Sequence, residues 1–118
     1  MPEYQKWIDN GQAWLDSGFI RNSAQAYLKG FLLKTAEVDL PAMLEDEPQG
    51  PQTLYQNLAD YVKLLLDEFG QEAKIPKTVK KINRWVDGLR SLASDKNSPK
   101  PDPEILEKKL RQLAKDIP

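Results

Sequence analysis

Apolar residues in this chain recur three and four positions apart in segment after segment, and nowhere do they alternate with polar ones at a period of two. That spacing gathers side chains on one face of a helix and scatters them across both faces of a strand, so the sequence predicts an all-α fold. Tyr4, Trp7, Ile8, Trp14 and Leu15 mark a first helix, with Pro2 at its opening turn, an end near Ser17 and Gly18 as the stop. Asn22 or Ser23 is expected to cap a second, whose face reads Ala24, Tyr27, Leu28, Phe31 and Leu32, with Gly30 inviting close packing. Leu54, Leu58, Tyr61, Val62, Leu65, Leu66 and Phe69 give the third helix the widest apolar arc and the centre of the core, ended by Gly70. Pro76 opens a fourth, with Val79, Ile82, Val86, Leu89 and Ala93 inward. Asp102 caps and Pro103 begins a fifth, with Leu106, Leu110, Leu113 and Ile117 as its seam and Glu104/Lys108 and Glu107/Arg111 as i,i+4 pairs.

Two interruptions divide the helices. Pro41, Pro48, Gly50 and Pro51, with Glu45, Asp46 and Glu47 between them, predict an acidic surface loop over about 38–52. Ser98, Pro99, Lys100, Pro101, Asp102 and Pro103 predict a semi-rigid, exposed connector over about 94–103. At 118 residues there is room for one core and not for two, and 40% apolar content supplies it, so the expectation is a single-domain bundle of about five helices over residues 1–118.

The composition narrows the chemistry. With no Cys there are no disulfides and no thiolate metal sites, and with no His the commonest general base and the commonest metal ligand are both missing, which counts against an enzyme. Ser17, Ser23, Ser91, Ser94 and Ser98 have no His to activate them and no nucleophile elbow around them. The short loops near Gly50 and Gly70 lack the glycine-lysine signature of a phosphate cradle. Adjacent Glu45, Asp46 and Glu47 lack the alternation of a calcium loop, and Asp60, Asp67, Glu68 and Glu72 read as surface charge. No catalytic residue, metal or cofactor is expected. The N-terminal Met1-Pro2-Glu3-Tyr4 has no basic region followed by an apolar run, and no apolar stretch is long enough to span a bilayer, so the expected setting is cytoplasmic, away from membranes.

Charge is where the sequence is least ordinary. Residues 1–73 carry 5 Lys and Arg against 12 Asp and Glu, whereas residues 74–118 carry 12 against 6, so the net charge of −1 conceals an acidic and a basic lobe. The basic lobe concentrates in Lys74, Lys77, Lys80, Lys81, Arg84 and Arg90, and four of these fall on the arc of the fourth helix opposite its apolar face. Such a stripe either follows a sugar–phosphate backbone without reading bases or is a solvated face that offsets the acidic half. Trp85, at the edge between the two arcs, reads as a flank of the core or as a stacking platform. Trp7 and Trp14 read most simply as core, and otherwise as a surface that docks another protein.

The aromatic first helix Tyr4-Gln5-Lys6-Trp7-Ile8 and the one-sided basic helix Lys77-Thr78-Val79-Lys80-Lys81-Ile82-Asn83-Arg84-Trp85, in a small all-helical chain without His or Cys, resemble the small helical subunit of multi-subunit, Cascade-type CRISPR effector complexes. The likeness is one of architecture and carries no motif matched residue by residue. It implies a non-catalytic subunit that stacks with other subunits and with copies of itself beside the guide RNA–target duplex, offering basic residues to the target or displaced DNA strand. It also implies an origin by internal start within a large-subunit gene, which suits a chain that opens on a helix. The alternatives are a helical adaptor that binds protein through aromatic faces and, third, an enzyme working with Asp, Glu, Lys and Tyr alone.

Overall fold

The computed structural model describes residues 1–45 and 50–118, and among them there is no strand. The elements are α1 (Glu3–Asp16), α2 (Ile20–Lys34), α3 (Leu40–Glu45), α4 (Pro51–Leu65), α5 (Gln71–Ala73), α6 (Pro76–Ser94) and α7 (Pro103–Lys115). Single π-helical turns, Thr35–Asp39 and Leu66–Gly70, join α2 to α3 and α4 to α5 without a break, so the described chain makes five rods. The all-α bundle expected from the apolar period is what forms.

The rods pack as two hairpins, α1 on α2 and α4 on α6, with α7 laid against α2 and the Thr35–Asp39 turn. Leu28, Leu32, Leu40, Leu58, Val62, Ile82, Val86, Leu89, Leu110, Leu113 and Ile117 fill the space between them and are essentially inaccessible to water. Tyr61 and Val79, also expected in the core, lie half-buried at its rim. α1 leans almost wholly on α2, and glycine makes the approach close: a Cβ at Gly11 would stand 2.8 Å from the Tyr27 ring, and one at Gly30 would stand 2.9 Å from Ile8. Tyr27, Phe31 and Phe69 stack, with centroids 5.3 to 6.1 Å apart, and tie α2 to the Leu66–Gly70 turn. Lys29 Nζ, 4.3 Å from the Trp7 ring centroid, donates to the Ile117 carbonyl at 3.0 Å and holds the end of α7 to the first hairpin.

Several expectations need correction. α2 begins at Ile20, where the Ser23 N–H already bonds the Phe19 carbonyl, so neither Asn22 nor Ser23 is its cap. Ser23 is buried inside the helix and its hydroxyl donates to the Gly11 carbonyl at 2.8 Å. The segment read as a loop over 38–52 is helical through Glu45 and again from Pro51; Asp46 and Glu47 lie outside the described residues. Pro41 is accommodated because the preceding turn is π-wound, with the Leu40 N–H reaching the Thr35 carbonyl, and this opens the ladder where the ring would strike the carbonyl four residues back. Gly70 is not a stop. Its φ is −61°, it packs against Leu66 and Val79, and the rod runs on to Lys74, which takes the left-handed conformation at φ 56° instead. The connector after α6 is not simply exposed: Pro101 is buried, and the Tyr55 hydroxyl and the Gln52 amide bind the carbonyls of Pro99 and Asp95 at 2.9 and 3.1 Å. Of the two α7 pairs, Glu107 and Arg111 meet at 3.0 Å, and no ion pair joins Glu104 to Lys108 among the described residues.

Candidate nucleic-acid interface

α6 is the longest helix described, with one apolar and one polar face. Ile82, Val86 and Leu89 are buried and fix its rotation, which turns Lys77, Lys80, Lys81 and Arg84 outward within an arc of about 100°. All four are exposed, as the helical period requires. They are not equivalent. Lys81 is engaged by Asp116 from beyond the end of α7 at 2.8 Å, while among the described residues no carboxylate pairs with Lys77, Lys80 or Arg84. Two members of the sequence-predicted set stand apart from the arc. Arg90 points about 130° away from it, toward α4, and meets Asp60 at 3.6 Å. Lys74 precedes the helix, at the mouth of a groove of about 540 Å³ that also exposes Lys63, Gln71 and Asn83.

The position of the cations along α6 matters as much as their face. Ile75, the residue before the helix, gives no side-chain cap, and the first turn holds no acidic residue. Unpaired N–H groups and aligned peptide dipoles already make that end positive, and Lys77, Lys80 and Lys81 add to the potential there. Folding alone favours the opposite placement, so the cluster is an electropositive focus that the fold tolerates and an approaching anion relieves.

Trp85 is half-buried against the core, which makes it a flank of the apolar face. Trp7 is likewise half-buried, but Trp14 is not core: it is 40% exposed, and Leu15, Phe19 and Ile20 beside it are exposed as well. Gly18, at φ +82°, turns the chain between α1 and α2, and this tip overhangs the bundle, with Trp14 and Phe19 meeting edge to face at 5.4 Å. Helical periodicity reports which residues share a face, and here α2 covers that face at Trp7 and leaves it exposed at Trp14.

Among the described residues two phenols have a displaced ionisation, both away from α6: Tyr55, raised by burial, and Tyr61 at the Thr35–Asp39 turn. Burial first, and then the Asp39 carboxylate, pushes the Tyr61 phenol above its ordinary 10.0. It therefore keeps its proton at neutral pH and supplies no base. Among the described residues no group of three or more acidic side chains is placed to hold a metal ion, and no helix is long and apolar enough to cross a membrane.

Asp116, Gln71 and Asn83 escaped the sequence reading. Asp116 reaches Lys81 across 35 residues, and no local pattern signals such a contact. Gln71 lines the groove just past the π-turn that precedes α5, and Asn83 reaches it from α6, a meeting of two elements that no local pattern signals. No protein-family model, no curated protein and no solved structure matches this chain.

Proposed function

We infer that the protein is a non-catalytic subunit of a larger nucleoprotein assembly, and that it lays the outward arc of α6 along a nucleic-acid backbone. Lys77, Lys80 and Arg84 carry this reading: three exposed cations without carboxylate partners among the described residues share one face over the first half of the helix, and Lys77 stands in the first turn, where the peptide dipoles are already positive. Contacts of this kind position a strand without reading its sequence. The specific form is that suggested by the resemblance, a small helical subunit of a Cascade-type CRISPR complex, contacting the guide RNA–target duplex or the displaced strand and stacking on other subunits or copies of itself. Each cation that meets a phosphate adds close to one unit to the salt slope of binding. Lys77→Glu with Lys80→Glu is therefore expected to weaken single- and double-stranded ligands alike and to flatten the slope by about two. Equal affinities and equal slopes in the variant and the parent would overturn the reading. Recovery of the untagged chain free of RNA from cells that make a guide RNA would remove the CRISPR form of it.

The tip formed by Trp14, Leu15, Phe19 and Ile20 favours a second reading, an adaptor that binds protein through this aromatic corner. Absence of nucleic-acid binding at low salt would put that reading first.

A further inference from the structure

Glycine inside a helix costs stability relative to alanine, and in the α1–α2 hairpin this protein places it where something must come close. Gly11 and Gly30 face Tyr27 and Ile8 at distances that leave no room for a Cβ. Gly88, in the interior of α6, is different: a Cβ there would meet nothing within 4 Å, and no positive φ calls for glycine. Nothing within the described chain explains its presence. By the helical period Gly88 falls inside the arc of Lys77, Lys80, Lys81 and Arg84, one turn beyond Arg84, and Ser91 lies next on the same arc. Asp87 lies just outside.

We propose that Gly88 is the point where a nucleic-acid strand crosses α6 in van der Waals contact, its sugar–phosphate backbone seated on the bare helix between Arg84 and the Ser91 hydroxyl. The proposal rests on the nucleic-acid reading of α6 and adds where, and how closely, the strand passes. The charge of the arc favours this occupant, since Lys77, Lys80 and Arg84 stand on it without carboxylate partners among the described residues, and the carboxylates nearest to it are Asp116, which pairs with Lys81, and Asp87 at its edge. Its polarity disfavours a docked helix. The helices that meet at Gly11 and Gly30 do so through Tyr27, Ile8 and Trp7, whereas Gly88 is flanked by Arg84, Asp87 and Ser91.

Gly88→Ala separates folding from binding. In an open helical position it is expected to raise Tm by roughly 3–6 °C. Against a strand in contact, the added methyl is expected to lower affinity for a single-stranded oligonucleotide about tenfold, and Gly88→Leu to lower it further. The salt slope stays unchanged, because no cation is lost. If Gly88→Ala binds as tightly as the parent while Lys77→Glu with Lys80→Glu binds more weakly, the lysines reach the phosphates at arm's length and the close approach is overturned, with the reading of α6 intact. If the parent chain binds no oligonucleotide even at low salt, the reading of α6 fails and the proposal fails with it. If Gly88→Ala instead abolishes self-association measured by sedimentation without nucleic acid, the occupant is a second copy of the chain and the proposal is wrong.

Discussion

α6 and α7 are built to the same plan and charged to opposite ones. Each opens on proline, each carries a single apolar seam, and each seam is sealed, with Ile82, Val86 and Leu89 in one and Leu106, Leu110 and Leu113 in the other, while Ile117, expected in the second seam, is buried beyond the helix end. α7 then satisfies its termini. The Asp102 carboxylate accepts from the N–H groups of Glu104 and Ile105 at 3.0 and 3.3 Å, Glu104 sits in the first turn and Lys115 in the last. α6 does the reverse, with Ile75 at its cap, Lys77 in its first turn and no basic residue in its last. Where two neighbouring helices share packing and differ in charge logic, the difference cannot come from the core. The charges of α7 complement its own termini, whereas on α6 Lys81 and Arg90 meet carboxylates of other elements and Lys77, Lys80 and Arg84 have no such partner among the described residues.

The comparison breaks first if the two seams are not equivalent. Leu110→Ala and Ile82→Ala each remove a fully buried side chain, and each is expected to cost about 2–5 kcal/mol in urea unfolding. A loss well below 1 kcal/mol at Ile82 alone would make α6 a peripheral strut and its charges merely those of a loose helix. The cap comes next. Asp102→Ala is expected to cost about 0.5–2 kcal/mol by the same measurement, because two N–H groups lose their acceptor. No change there would mean that water caps α7 as well as Asp102 does, and the contrast with Ile75 would lose its force.

Legibility in the sequence divides along the same line. α7 was readable almost to the residue, because proline, an N-cap aspartate and an unbroken three-and-four spacing all point the same way. The outward face of α6 was readable for the same reason. The reading failed where a residue's fate is decided by something distant. Pro41 looked like a breaker, because nothing local announces a π-turn that makes room for it. Trp14 looked like core, because the period cannot say that α1 overhangs its partner. Lys81, on the stripe, and Arg90, off it, both looked like free cations, although Asp116 and Asp60, each far along the chain, pair with them.

The smallest effect is the most discriminating, because it concerns a sign. Lys77 stands near the positive end of α6 and Glu104 near that of α7, so exchanging charge at each position acts on the same dipole in opposite directions. Glu104→Lys is expected to destabilise the protein by about 0.3–1 kcal/mol, and Lys77→Glu to stabilise it by a similar amount, both fading as salt is raised. Thermal unfolding at low ionic strength with single variants is sufficient to see it. If Lys77→Glu stabilises the fold while weakening nucleic-acid binding, the lysine is held at a cost to folding and its advantage lies in binding. If Lys77→Glu destabilises the fold instead, the lysine serves a contact within the bundle, and the excess charge of α6 needs no ligand to explain it.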